Sequence, residues 1–336
     1  MSYRLSLLDK SPIPEEATAA EALARTVALA RRAEALGYHR FWVAEHHGSA
    51  GYAGAAPEVL AAHLLAHTSK IRIGTGGVML QHYSPYKVAE VFRVLEALAP
   101  GRVDLGVGKA PGGLPASTRA LQSRHDPTLK SSFEELLAEL EGHLGGTLPA
   151  GHPLSGVIVT PRTQSLPERI VLGASTDTAL EAARHGWQFC YAGHFNGELA
   201  GIEEATQVYR KASGRSASLA LYAVVADSGE EAERLASGLR IFKVQLANGQ
   251  RVNVLSREAA ADYARQAGDI AYTATEVHPQ VLHGTGAEVR ARLDLLAERL
   301  HVEEFIVDSP VAAFAPRLRS VELLAEAVLQ PEALAA

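Results

Sequence analysis

The chain has 336 residues, 47% of them apolar and 21% charged, ordinary globular usage with enough apolar side chains for a large core. A net charge of −6, a pI near 6.2 and the lack of any Lys/Arg run argue against a nucleic-acid partner. No apolar run reaches the roughly 20 residues of a membrane span, and the single cysteine, Cys190, excludes an internal disulfide and reads as a buried thiol. The opening Met1–Asp9 is too short and polar for a secretory signal and reads as a first strand. A cytoplasmic protein is therefore expected, with residues 1–336 forming a single domain.

Strand-like and helix-like periods alternate from there on. Arg4–Leu8 is short and apolar. Thr18-Ala-Ala-Glu21 is a capping box, and Leu23, Val27, Ala30 and Ala33 follow at helical spacing until Gly37. Arg40–Glu45 predicts a second strand, Pro57–Thr68 a helix, and Lys70–Gly77 a third strand. Ser84-Pro85 supplies a cap and a first-turn proline for a helix to Leu98, and Val103–Gly108 is a fourth strand. Ser132-Phe-Glu-Glu135 caps another helix, and a Gly/Pro-rich stretch runs from Gly145 to Pro167. Arg169–Ala174 and Gln188–Ala192 predict strands five and six, with a helix to His185 between them, and Glu198–Lys211 a further helix. Ser218–Ala226 predicts strand seven. Gly229–Gly284 shows helical pieces and no good strand. Thr285-Gly-Ala-Glu288 caps a helix to Leu300, Glu304–Asp308 is strand eight, and Leu318–Leu329 is a closing helix.

Eight strands apolar enough to be buried on both faces, with helices between them, predict an α/β fold, a (β/α)8 TIM barrel with insertions after strands four and seven. A doubly wound open sheet fits less well, because no G-x-G-x-x-G follows the first strand.

In such a barrel, ligands bind at the C-terminal ends of the strands. The polar groups of this chain fall there: Asp9, then Glu45-His46-His47, Gly74-Thr-Gly-Gly77, Gly106–Gly113, Ser175-Thr-Asp-Thr178 and Gly193-His-Phe-Asn196. Ser175 and Thr178, at a helix start beside Lys109, read either as a phosphate grip or as a plain helix cap with a solvated lysine. Gly76 and Gly77 read either as close backbone approach to a ligand or as a bulge. His63 and His67, four apart on a helix, read as a packed or surface pair. Glu45, His46 and His47 look like metal ligands, but neighbouring strand residues point to opposite faces, so no metal site is assigned.

Several longer motifs resemble those of bacterial-luciferase-like flavin-dependent monooxygenases, in the subgroup related to the alkanal monooxygenase α chain. They are Phe41-Trp-Val-Ala-Glu-His-His47, Ala56-Pro-Glu-Val-Leu60, Ile71–Met79, Leu95–Pro111 and Leu172-Gly-Ala-Ser175. The likeness runs through nearly the whole chain and is weakest over Gly113–Leu166 and Gly229–Gly284. It implies the same barrel, with reduced FMN held at the C-terminal mouth, O2 as co-substrate, and a separate NAD(P)H:flavin reductase as supplier. It implies that His46 is the catalytic acid/base; Glu45, its neighbour in the chain, is expected to orient it. Gly76-Gly77 would be joined by a cis peptide against the flavin ring, and Lys109, Ser175 and Thr178 would hold the phosphate. Ala174 stands where relatives carry an acidic neighbour of the phosphate, and Gly108 stands where luciferase has a reactive cysteine, so light emission is not expected. The substrate would be a small organic molecule such as an aliphatic aldehyde. The resemblance also implies a homodimer through Pro57–Thr68 and Pro85–Leu98. Three other functions remain open: F420-dependent hydride transfer on the same fold, a divalent-metal barrel hydrolase using Glu45, His46, His47 and His194, and a non-catalytic flavin-binding protein.

Overall fold

The structure is a computed structural model; it describes residues 3–126, 131–194 and 197–329. Among the described residues, thirteen strands and eleven α-helices follow in chain order. They are β1 Arg4–Asp9, α1 Ala19–Leu36, β2 Arg40–Val43, α2 Pro57–His67, β3 Arg72–Thr75, β4 Val78–Met79, α3 Pro85–Leu98, β5 Val103–Gly108, α4 Pro115–Leu121 and α5 Phe133–Gly145. Then come β6 Glu168–Gly173, α6 Thr176–Arg184, β7 Gln188–Ala192, α7 Leu199–Ser213, β8 Ser218–Val225, α8 Gly229–Ala236, β9 Ile241–Leu246, β10 Arg251–Val254 and α9 Arg257–Gln266. The chain closes with β11 Tyr272–Val277, β12 Val281–Gly284, α10 Gly286–Leu300, β13 Glu304–Asp308 and α11 Phe314–Val328.

Eight parallel strands close on themselves in the order β1, β2, β3, β5, β6, β7, β8, β13, the expected (β/α)8 barrel. Two short strands, β4 and β12, extend it at the C-terminal end by pairing with β5 and β8. Capping boxes at Thr18/Glu21, Ser132/Glu135 and Thr285/Glu288 start three of the helices. Ser84 sits at the start of α3 without a side-chain cap bond, so Pro85 alone marks that start. α11 begins at Phe314, four residues before the expected Leu318, because Pro316 falls in its first turn, where a missing N–H costs nothing. Among the described residues, no helix is long and apolar enough to cross a membrane.

The largest correction lies between Gly229 and Gly284. Instead of helical pieces alone, this segment carries a separate antiparallel sheet, β10-β9-β11, with α9 packed on it. Ile241-Phe-Lys-Val-Gln-Leu246 alternates buried and exposed side chains, and Gly249 turns the chain at φ +88°. That alternation and the Asn248-Gly249 pair are hairpin signals legible in the sequence.

Side chains alternate along the barrel strands. Leu5, Leu7, Phe41 and Val43 join the core between barrel and helices, whereas Leu8, Trp42, Ile170, Cys190, Ala220 and Ile306 fill the barrel itself. Cys190 is fully buried there, and burial pushes its thiol up to about 12. At the N-terminal end the inward positions are charged. Arg40 donates to Glu304 at 2.7 Å, to Asp104 at 2.9 Å and to Glu168 at 2.8 Å. Trp42 and Arg72 also donate to Asp104, and Ser6 donates to Glu304.

Candidate active site

The same alternation decides what each residue does at the C-terminal mouth. Following Arg40, Trp42 and Ala44, His46 continues the inward row of β2; Glu45 and His47 continue the outward row of Phe41 and Val43. The Glu45 carboxylate is buried and accepts from His47 Nε2 at 2.6 Å, Tyr83 Oη at 2.9 Å and the Met79 amide at 3.0 Å. Glu45 therefore orients His47 and not His46, against the expectation that it would hold the neighbouring ring. His47 is further pinned by the loop after β5, its amide donating to Gly112 O at 2.7 Å.

His46 is arranged differently. Its ring lies 4.5 Å from that of Tyr52, and its Nδ1 is buried without a hydrogen-bond partner among the described residues. Burial, with smaller contributions from Lys10 and His47, lowers its pKa to about 3, so the ring is neutral. Around it stands a group that the strand-by-strand reading did not assemble. Lys10 continues the inward row of β1, and its Nζ is 2.5 Å from Asp308 of β13 and 3.1 Å from Tyr222 Oη of β8. His194, just past β7, is buried, with its ring 5.7 Å from that of Tyr222. Burial and then Lys10 hold it well below the usual histidine pKa. Lys10, Tyr222 and Asp308 were legible as the inward positions of their strands, two residues beyond Leu8, Ala220 and Ile306. Phe195 and Asn196, flagged with His194, lie outside the described residues. Asp9 points outward, pairing with Arg317 of α11 at 2.8 Å and accepting from Thr26 of α1 at 2.6 Å, which ties two helices to the barrel.

On the other side of the mouth, Ser175 is exposed and caps α6, accepting from the Thr178 amide at 3.3 Å; its hydroxyl lies 3.0 Å from that of the buried Thr178. Lys109, at the end of β5, lies 4.0 Å from Glu181 of the same helix, so lysine and hydroxyls do converge on one helix. Ala174 precedes the cap. The peptide bond between Gly76 and Gly77 is cis. A Cβ at Gly76 would come within 2.8 Å of Leu8 and at Gly77 within 2.7 Å of the Gly106 backbone. Backbone packing therefore demands glycine at Gly77, while at Gly76 a side chain would have to displace Leu8 and crowd Trp42. At Gly108 a Cβ would meet nothing closer than 3.9 Å, so the vacant cysteine position leaves free room.

The two insertions meet above this mouth. The Ala116 amide of α4 donates to Gln266 Oε1 of α9 at 3.0 Å, Arg119 donates to Gln266 O at 2.6 Å, and Leu114 packs on the core of the small sheet. Elsewhere His63 and His67 are an exposed pair on α2, rings 4.2 Å apart, with Nδ1 of His67 bonded to His63 O. Among the described residues, no three His, Cys, Asp or Glu side chains converge on a point where an ion could sit.

A barrel of this topology carries at its mouth a half-buried histidine whose Nδ1 has no hydrogen-bond partner among the described residues, opposite a helix start with hydroxyls and a lysine, and this combination defines a class. The chain belongs to the luciferase-like monooxygenase family, whose sequence profile matches residues 4–303, and is a monooxygenase of that family. It is 42% identical to the N-acetyl-S-alkylcysteine monooxygenase of Bacillus subtilis, over 97% of this chain and 98% of that one. It is 34% identical to a luciferase-like monooxygenase of Escherichia coli K12, over 95% of each. The crystal structure of apo-MsnO8 superimposes with a TM-score of 0.76 at 32% identity, covering 98% of both chains. Family membership and the outward turn of Glu45 and His47 leave the metal-hydrolase alternative without support.

Proposed function

We propose that this chain is an FMN-dependent monooxygenase, taking reduced FMN from a separate NAD(P)H:flavin reductase and using O2 to oxygenate a small organic molecule in the cytoplasm. The observation that carries the reading is His46: an inward ring at the mouth, neutral, with a buried nitrogen that nothing in the described protein satisfies. A buried polar atom left unpaired costs about 1–3 kcal/mol, a cost kept at sites where a ligand supplies the partner.

The groups around the mouth support a flavin mononucleotide site. Ser175, Thr178 and Lys109 would hold its phosphate at the α6 start, with Ala174 beside them, and the Gly76-Gly77 peptide would lie against its ring. When bound, the reduced flavin supplies the electrons that activate O2. His46 would accept or return the proton of the reacting oxygen, its neutral ring being the accepting form. Glu45 and Tyr83 fix the His47 ring and with it the loop after β5. α4 and the β9–β11 sheet would keep water from the site.

The 42% relative favours a thioether such as an N-acetyl-S-alkylcysteine over an aliphatic aldehyde. The test is product formation from both classes, with reductase-supplied FMN under air and under nitrogen. Oxygen-dependent sulfoxide or dealkylated product supports the reading. Flavin binding without turnover of any substrate points to the non-catalytic alternative, and turnover with reduced F420 but not FMN points to hydride transfer.

The pairing surface would be the α2–α3 face, where Val59, Val94 and Leu98 are 66%, 45% and 70% exposed. Sedimentation should give a dimer at micromolar concentration, with Leu98→Glu shifting it to monomer; a wild-type monomer contradicts this.

A further inference from the structure

The residues that follow Lys109 are fastened one by one. Gln81 Nε2 donates to Ala110 O at 3.0 Å, His82 Nε2 to Pro111 O at 2.9 Å and the His47 amide to Gly112 O at 2.7 Å, and Gly113 then bridges to His47. The fit is close: a Cβ at Gly113 would come within 2.5 Å of His47 O, and one at Gly112 within 3.0 Å of the Met79 side chain. Lys109 itself is loosely placed, 4.0 Å from Glu181 and 5.8 Å from the Phe133 ring centre. The backbone behind it therefore sets where its ammonium can reach.

All of these fasteners lead back to one group. The buried Glu45 carboxylate accepts from the His47 ring and from Tyr83 on Oε1, and from the Met79 amide on Oε2. It thus holds His47 directly and clamps both ends of the segment 79–83, which carries Gln81 and His82. Gln122 of α4 braces that segment from the far side, its Nε2 donating to Gln81 O at 3.1 Å and lying 3.1 Å from His82 Nδ1. A buried acceptor with three donors is a rigid anchor, and its loss would leave all three unpaired.

We infer that Glu45 is a positioning residue for the phosphate end of the flavin site: through His47 and the segment 79–83, its carboxylate holds the loop that aims Lys109 at the phosphate. Glu45 acts from the outward side of β2, through that loop and not on the reacting atoms. β4 keeps its own pairing with β5 at Val107 and Gly108, so the strand end that follows the Gly76-Gly77 peptide does not depend on Glu45 alone.

This inference rests on Lys109 gripping the phosphate, and its test separates the two. Dissociation constants of reduced FMN, and of reduced riboflavin, which lacks the phosphate, are measured without oxygen for the wild type, Glu45→Met, Lys109→Ala and the double variant. Glu45→Met keeps the length of the side chain and removes every acceptor. It should weaken FMN about 10-fold and riboflavin less than about 2-fold, and add little in the Lys109→Ala background, where the contact is already gone. His47→Leu, which removes the ring from the other end of the 2.6 Å bond, should do the same and carries the test if Glu45→Met folds poorly. Losses that multiply in the double variant, or that fall equally on FMN and riboflavin, mark a general structural role and overturn the inference. So does an unchanged FMN constant in both Glu45→Met and His47→Leu when Lys109→Ala weakens binding. If Lys109→Ala itself leaves FMN binding intact, the phosphate reading falls, and this inference with it.

Discussion

The two ends of the barrel are built from the same alternating strands and treat charge in opposite ways. At the N-terminal end, Arg40 is saturated by Glu304, Asp104 and Glu168, and Trp42, Arg72 and Ser6 complete the acceptors. At the C-terminal end, about 20 Å further along the same run of chain by strand rise, His46 keeps a buried nitrogen with no partner among the described residues. The satisfied network ties six of the eight barrel strands together, whereas the unpartnered nitrogen marks the end proposed to take a ligand. The sequence position within a strand thus separates residues that hold the barrel from residues that use it.

The sharpest way to break this contrast is to remove one group from each end. His46→Ala should lower product formation by roughly 10²–10⁴-fold while leaving FMN affinity nearly unchanged, since the proposed phosphate grip is elsewhere. A variant with wild-type turnover would show that the unpartnered nitrogen has no catalytic role. Arg40→Met strips the cation from three buried or half-buried carboxylates and should cost about 3–5 kcal/mol in urea unfolding. Its turnover per folded molecule should hold, and a stability loss under 1 kcal/mol would mean that the floor is not what closes the barrel.

Lys109→Ala sharpens the comparison within the mouth itself. Lys109 is 44% exposed and only loosely paired, so it should be free to turn to a phosphate, and its loss should weaken FMN binding about 10- to 100-fold. An unchanged dissociation constant would place the phosphate elsewhere.

The smallest effect is on stability against pH. His46 has a folded pKa of about 3, against roughly 6.5 in the unfolded chain. Between those values the unfolded chain binds a proton that the folded protein excludes. Stability therefore falls as pH drops below about 6.5, by up to about 1.4 kcal/mol per pH unit for each such histidine, His194 included. Unfolding curves at pH 7, 6 and 5 should show a shallower fall for His46→Asn than for wild type; equal slopes would mean that His46 is already charged in the folded state.

The barrel was legible because parallel strands buried on both faces are plain apolar runs, and Val103–Gly108, Gln188–Ala192 and Glu304–Asp308 match the structure end for end. The β9–β11 sheet was missed because its strands, half exposed, alternate polar and apolar residues, and Lys243 and Gln245 dilute the apolar signal. The site was partly legible. His46 announces itself at a strand end, but Lys10 looks like a solvated lysine until β1 and β13 are known to be neighbours. Glu45 was misread because adjacency in sequence suggests contact, whereas the strand period places it with His47 and Tyr83, a partner 38 residues away.

The most direct measurement is a crystal structure of the chain with FMN. The account predicts the phosphate within hydrogen-bond reach of Ser175, Thr178 and Lys109, the ring against the Gly76-Gly77 peptide, and His46 facing the ring. A flavin bound at the N-terminal end, or one whose phosphate avoids the α6 start and whose ring lies away from His46, would contradict it.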